Sequence, residues 1–214
     1  MKKIAIFDLD GTLVDSIDDL VLSANNTRKE FGLKPLSKEE ISSFVGDGLI
    51  AFVERLFPEK NSISEKEVIV FKKLYKKHIV DNTRFYKGIL ECVDKLKKHN
   101  FLVGILSNKT EYLSKLVVEK LGARDKFSFV YGGDSFPEKK PSPLPIKRIM
   151  EEFNGDFSSS FMIGDSCNDI ISGQKAGIKT IAVTFGFNGE SHLKNCTADF
   201  YASSPEEVCK KILG

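Results

Sequence analysis

The first apolar run of the chain, Ile4-Ala5-Ile6-Phe7, leads straight into Asp8, and Asp10 follows two places later. Strand side chains alternate between faces, so Asp8 and Asp10 point roughly the same way if the extended path persists. Two carboxylates at close range repel, and each resists ionising unless a cation or a shared proton compensates. This stretch therefore asks for a metal ion. Asp165, which follows the run Phe161-Met162-Ile163-Gly164, can join Asp8 and Asp10 as an oxygen ligand for a hard divalent ion, which suits magnesium. Asp169 falls one helical turn further if a helix opens there, placed to orient those ligands from behind.

A second group of residues suits an anion. Ser107 and Asn108 end another apolar run and offer a hydroxyl, an amide and backbone N–H groups at a strand-to-helix turn. Lys140, in Lys139-Lys140-Pro141, can add a fixed positive charge. Metal, lysine and amides in one pocket suit a phosphoryl group, whose transfer depends on positioning and charge stabilisation. One carboxylate can serve as nucleophile, giving an aspartyl-phosphate that water hydrolyses, while a second protonates the leaving alkoxide and then deprotonates the water.

These residues need a scaffold that gathers them. From Gly88 onwards helices and strands alternate: helix Ile89–His99, strand Phe101–Leu106, helix Lys109–Leu121, strand Phe127–Tyr131, helix Leu144–Phe153, strands at Phe161–Ile163 and Lys179–Thr184, and a last helix over Pro205–Leu213. Near-continuous apolar strands alternating with helices predict an α/β fold, a doubly wound parallel sheet covered on both faces. Ligands of such sheets bind beyond the carboxyl ends of the strands. Asp8 and Asp10, Ser107 and Asn108, and Asp165 all belong at that edge. Between the first strand and about Arg84 the pattern is helical instead, with Ile17, Leu20, Val21 and Ala24 at helical spacing. A capping box at Ser37-Lys38-Glu39-Glu40 opens a short helix, Pro58 is expected to close the helix that follows, and Ser64-Glu65-Lys66-Glu67 marks the start of the next. This predicts a compact helical unit inserted after the first strand.

Composition narrows the function classes. The 214 residues contain 32 Lys and Arg against 30 Asp and Glu, a balance that argues for neither nucleic acid nor membrane as a partner. Hydrophobic residues make up 41%, as in ordinary soluble globular proteins. Lys2 and Lys3 precede the first apolar run, but Asp8 and Asp10 interrupt it too early for a signal peptide, and no apolar run is long enough to span a bilayer. A cytoplasmic protein, monomer or homodimer, is the expectation. Cys92, Cys167, Cys196 and Cys209 form no C-x-x-C pair, and His78, His99 and His192 are scattered, so a zinc cluster is not expected. Free buried thiols are the default reading, with Cys167 a small residue tolerated inside its loop.

The D-L-D-G-T of 8–12, the S-N of 107–108, the K-P of 140–141 and the G-D-S-x-x-D of 164–169 resemble, in order and spacing, the four motifs of the haloacid dehalogenase superfamily. The resemblance extends over essentially the whole chain. It implies a Rossmann-like core of residues 1–14 and 85–214 and a small helical cap domain of residues 15–84. It also implies that Asp8 is nucleophile and magnesium ligand, that Asp10 is general acid and base with its backbone carbonyl on the metal, and that Asp165 completes the metal ligands with Asp169 in support. Ser107, Asn108 and Lys140 would hold the phosphoryl group, and Thr12 would orient the loop. D-G-T-L-V-D-S followed by a helical cap with F-V-G-D-G is most similar to the phosphoglycolate phosphatases of that superfamily. The implied activity is a magnesium-dependent phosphatase acting on a small phosphomonoester, with 2-phosphoglycolate the leading substrate.

Other readings compete. A sugar phosphomutase or a pyrophosphatase of the same fold shares the motifs. A dehalogenase of the family lacks the second motif aspartate, so Asp10 argues against it. A response-regulator-like signalling module also combines aspartates, magnesium and lysine, but needs no helical cap, and a silent binding protein has no reason to keep every motif residue. Lone aspartates at 165 and 169 could simply cap a helix, and Lys139 competes with Lys140 as an ordinary surface lysine. Gly46-Asp47-Gly48-Leu49-Ile50-Ala51 fits the dinucleotide fingerprint, yet it lies between helical segments rather than after a strand, which rejects a nicotinamide site. Gly46, Asp47 and Gly48 are instead candidate cap contacts to the substrate, with a plain helix–helix turn as the competing reading. Lys72, Lys73, Lys76 and Lys77 read as the solvated face of a cap helix. Arg55 and Arg84 are candidates for a substrate carboxylate, though nothing in the spacing selects them. Hinges are expected near Asp15 and Arg84.

Overall fold

The computed structural model describes residues 1–187 and 189–214, the side chains of 190 and 191 apart. Its strands are β1 (Lys3–Phe7), β2 (Val14–Asp15), β3 (Arg84–Phe85), β4 (Phe101–Leu106), β5 (Val130–Tyr131), β6 (Phe161–Gly164), β7 (Lys179–Val183) and β8 (Phe200–Ala202). Six of them form one sheet in the order β5-β4-β1-β6-β7-β8, with every neighbouring pair parallel. Chain order reverses at β1, which has β4 on one side and β6 on the other, so β1 marks the topological switch point.

Both faces of this sheet are covered, as the unbroken apolar strands require. Ala5 and Phe7 of β1 pack into a cluster with Val93 and Leu96 of α5 (Ile89–Lys98) and Val208 of α9 (Pro205–Leu213). Ile4 and Ile6, on the opposite face, meet Ile146 and Ile149 of α7 (Leu144–Glu152) and Ala176 of α8 (Cys167–Ala176). The helix α6 (Glu111–Lys120) starts two residues later than its apolar pattern predicts, because Ser107–Thr110 form a turn and Asp134 accepts from the Glu111 N–H at 2.7 Å. Strand β5 is shorter than the run Phe127–Tyr131. The Phe129 ring crosses over Gly104, where a methyl group would come within 2.3 Å of it, and residue-to-residue pairing with β4 is confined to Val130 and Tyr131.

The helical insert comprises α1 (Ile17–Glu30), α2 (Lys38–Ser43), α3 (Leu49–Arg55) and α4 (Glu65–Lys77). The expected capping box is present, Ser37 with Glu40, and a second one, Ser64 with Glu67, opens α4. Helix α3 ends before Pro58, at Arg55. The two connections to the sheet run side by side as the antiparallel pair β2 and β3, with Val14 opposite Phe85 and Asp15 opposite Arg84. Leu20, Phe52, Phe71 and Tyr75 of the insert belong to the same apolar cluster as Phe7 and Ile105 of the sheet, so the insert sits directly on the sheet's carboxyl edge. Among the described residues, no helix is long and apolar enough to cross a membrane.

Candidate active site

Register alone brings the motif residues together. Phe7 lies opposite both Ile105 of β4 and Ile163 of β6. The residues that follow, Asp8, Ser107 just past Leu106 and Asp165 just past Gly164, therefore leave the sheet at one level. All three are buried. Lys140 arrives from the loop before α7, only 2% exposed, and its ammonium lies 2.9 Å from Asp8 Oδ1, 2.5 Å from Asp169 Oδ1 and 2.6 Å from the Leu106 carbonyl. Three acceptors use its three donors. Lys139, the competing lysine, instead donates to the Asp47 carbonyl at 2.6 Å on the surface.

The electrostatics of this cluster follow from burial. Loss of solvent pushes the Asp8 carboxyl up to about 6, with Lys140 pulling it down and the Asp169 charge raising it again. Burial, then the charges of Asp8 and Asp169, hold Asp165 well above the ordinary carboxylate range. Burial works against the Lys140 ammonium, but Asp169 and Asp8 together outweigh it and raise its proton affinity. Dry, adjacent carboxylates with raised proton affinity suit a cation.

The donor set suits a hard divalent ion. Carboxylate oxygens of Asp8, Asp165 and Asp169 lie within 4.8 Å of one another, all buried. Asp169 already bonds Lys140 through Oδ1 and the Ser166 N–H and hydroxyl through Oδ2, closing the capping box of α8, so it stands behind the cluster. Asp8 and Asp165 are left to face a metal. The Thr12 hydroxyl points to Asp165 Oδ1 at 3.4 Å. Gly11 has φ of +81°, and a methyl group there would lie 2.1 Å from Asp165 Oδ2, so only glycine leaves room for that carboxylate. The Asp10 side chain turns elsewhere: its Oδ1 accepts from Ser16 Oγ and Lys109 Nζ, both at 2.6 Å.

Above this floor lies a cavity between sheet edge and insert. Asp8, Asp10, Ser107, Asn108 and Asp165 line its base, and Leu20, Val45, Leu49, Phe52, Phe71 and Leu113 make its walls apolar. Gly46 and Gly48 line it as well, while Asp47 points away, paired with Arg55 at 2.5 Å and accepting from Asn168 at 2.8 Å. The Gly46 carbonyl accepts from the Asn108 amide at 2.8 Å, so the turn at 46–48 docks onto the motif loops. Asn108 also donates to the Lys140 carbonyl at 2.9 Å, and its own Oδ1 is buried with no partner among the described residues.

Residues 5–183 match the family model described as haloacid dehalogenase-like hydrolase. The chain belongs to that family. This haloacid dehalogenase-like hydrolase is 38% identical over 197 residues to the phosphoglycolate phosphatase of Chromobacterium violaceum, covering 89% of each chain. It is 34% identical to the phosphoglycolate phosphatase of Aquifex aeolicus, over 97% of this chain and 95% of that one. Among solved structures, a protein from Haemophilus somnus described as a predicted phosphoglycolate phosphatase superposes with a TM-score of 0.90 at 27% identity, covering 98% of this chain and 97% of its own.

Two features of the hydrolase depart from what its sequence suggests. Cys167 is paired with Cys196, correcting the reading of Cys167 as a bystander thiol; Cys92 and Cys209 are the free, buried pair. The bond joins the first residue of α8 to Cys196, three residues past the segment Gly189–Leu193, whose His192 lines the cavity. No spacing rule reveals this, since the two cysteines are 29 positions apart with a strand between them. Arg55 and Arg84 are the second departure. Arg55 binds Asp47 and the Phe44 carbonyl, and Arg84 binds the carbonyls of Thr83, Val80 and Asp81, so both cations are used outside the cavity. The cation that does line it is Lys109, next in sequence after Ser107 and Asn108.

Proposed function

We propose that the hydrolase is a magnesium-dependent phosphatase of 2-phosphoglycolate, working through an aspartyl-phosphate on Asp8. The observation that carries this reading is the contact of Asp8 with the buried Lys140 at 2.9 Å, beside Asp165 and at the floor of a small, apolar-walled cavity. In it, Asp8 attacks the phosphorus, and the Lys140 charge with the Ser107 hydroxyl and the Asn108 backbone N–H neutralises the equatorial oxygens. Asp10 donates a proton to the departing alkoxide and recovers one from the water that cleaves the acyl phosphate. Bound magnesium would sit against Asp8, Asp165 and the Asp10 carbonyl, screening the charge between nucleophile and phosphoryl group. Residues 15–84 are read as a cap domain that excludes water from this chemistry.

The cavity walls favour a small acid over a sugar. Leu20, Val45, Leu49, Phe52, Phe71 and Leu113 offer no partners for sugar hydroxyls, whose unpaired burial is costly. The relatives named phosphoglycolate phosphatase support the same choice. The test is magnesium-dependent phosphate release across 2-phosphoglycolate, hexose phosphates, nucleotides and pyrophosphate, with Asp8→Asn as control. One ester well above the rest, and a loss of at least about a thousandfold in the variant, is the expected result. Equal, weak turnover of the whole panel would reject 2-phosphoglycolate, and full activity in Asp8→Asn would reject the mechanism.

A further inference from the structure

We infer that Lys109 is the specificity-determining residue of this site, its ammonium pairing with the carboxylate of the leaving group. The inference rests on the 2-phosphoglycolate reading and says which residue performs the selection. A two-carbon acid phosphate carries charge at both ends. Lys140, Ser107 and Asn108 serve the phosphoryl end. The carboxylate end needs a cation in a cavity whose walls are otherwise apolar, because an unpaired buried carboxylate is strongly disfavoured.

Among the described residues lining the cavity, Lys109 and His192 are the basic ones. Burial holds the His192 ring below its ordinary proton affinity, so it meets a substrate at neutral pH uncharged. That leaves Lys109 as the charged partner. Its ammonium lies 2.6 Å from Asp10 Oδ1 and 2.7 Å from the Tyr75 hydroxyl, with the Tyr75 ring centroid 4.9 Å away. These contacts use two of its three donors, and one is left for a ligand.

Position strengthens the case. Asp10 is placed to protonate the leaving oxygen, and in glycolate a single carbon separates that oxygen from the carboxylate. A donor hydrogen-bonded to Asp10 is therefore a neighbour of that carboxylate. The anchor is also rigid. Tyr75 is 1% exposed and stacks on Phe71 at 5.7 Å, so little side-chain freedom is lost when the substrate binds. Because Tyr75 belongs to α4 and Asp10 to the sheet edge, Lys109 is fully positioned only when insert and sheet are together. Closure and selection are thereby linked through one ammonium.

The competing role for Lys109 is to neutralise Asp10 alone, and substrate pairs separate the two. The magnesium-loaded full-length protein, as wild type, Lys109→Gln and Lys109→Arg, is assayed for kcat and KM on 2-phosphoglycolate and on ethyl phosphate, which lacks the carboxylate. One charge-assisted hydrogen bond predicts that the ratio of the two kcat/KM values falls about ten- to a hundredfold in Lys109→Gln, chiefly through KM on 2-phosphoglycolate. Lys109→Arg should recover part of the ratio. If Lys109→Gln fails to fold by circular dichroism, Tyr75→Phe replaces it, and the ratio should still fall about threefold from loss of the anchor. Equal losses on both esters, or an unchanged ratio in the folded variants, overturn the role of Lys109 while leaving the substrate intact. A wild type that does not prefer 2-phosphoglycolate to ethyl phosphate overturns the substrate reading and this inference together.

Discussion

At the scale of single residues, the site is a problem of fitting carboxylates into a dry corner. Asp165 fits because Gly11 has no side chain and adopts φ of +81°. Gly11→Ala should then cost about 1–3 kcal/mol of stability from the backbone conformation alone. It should also displace Asp165, raising the magnesium concentration needed for half-maximal phosphate release. A titration that overlays the wild type would show that Asp165 can move without consequence. Asp8, Asp10 and Asp165 stand out in the sequence because buried carboxylates after apolar strands are improbable without a purpose. Lys109 escapes the same reading. A lysine beside a serine and an asparagine is an ordinary surface residue until Tyr75, 34 positions earlier, is folded over it. Cys167 and Cys196 escape it for the same reason, since their meeting depends on a loop path that no local pattern encodes.

Elements are positioned by polar groups as much as by apolar faces. Asp19, fully buried in the first turns of α1, accepts from the N–H and Nδ2 of Asn82 and from the N–H and hydroxyl of Thr83, all within 3.0 Å. It ties the start of the insert to the segment that leads out of it. Asp19→Ala leaves the Thr83 N–H and hydroxyl buried without partners and should destabilise the fold by about 3 kcal/mol. That corresponds to a melting temperature lower by about 6–12 °C for a chain of this size, readable by calorimetry. A second polar device opens α4, where Glu67 closes the capping box with Ser64 and pairs with Lys60. The hydrogen bonds from Lys60 and Ser64 bring its carboxyl down to about 2 from 4.5. Because the folded value is the depressed one, its stabilisation is complete above pH 4.5 and fades as pH falls towards about 2. Glu67→Gln should flatten the acid limb of stability within that window, and a parallel limb in wild type and variant would locate the acid sensitivity elsewhere. Helices such as α4 were legible because caps and period agree. The edge strand β8, only three residues long and half-exposed at Phe200, carries too little pattern to stand out.

Across the whole molecule, insert and sheet meet through four kinds of contact: the paired connectors β2 and β3, a continuous apolar cluster, the Lys109–Tyr75 hydrogen bond, and the polar turn at 46–48. The turn is the most local of these and the easiest to remove. Its Gly46 carbonyl accepts from Asn108 and Asn168, Asp47 accepts from Asn168 through its side chain and from Lys139 through its carbonyl. The Asn168 donors come from α8, directly behind Asp165, so the turn reports on the floor of the site. If residues 15–84 act as a cap, this turn is its latch, and unlatching should favour the open form without touching the groups that react. Asn168→Ala combined with Lys139→Ala removes three of these hydrogen bonds, each worth about 1 kcal/mol. The expected result is a KM for 2-phosphoglycolate raised at least about tenfold, with proteolysis near Asp15 and Arg84 accelerated and then slowed again by saturating product. Unchanged KM and unchanged cleavage would mean that the apolar cluster and the Lys109–Tyr75 hydrogen bond hold the insert down, since Phe52, Phe71 and Tyr75 would then keep the cavity roofed without help from the turn.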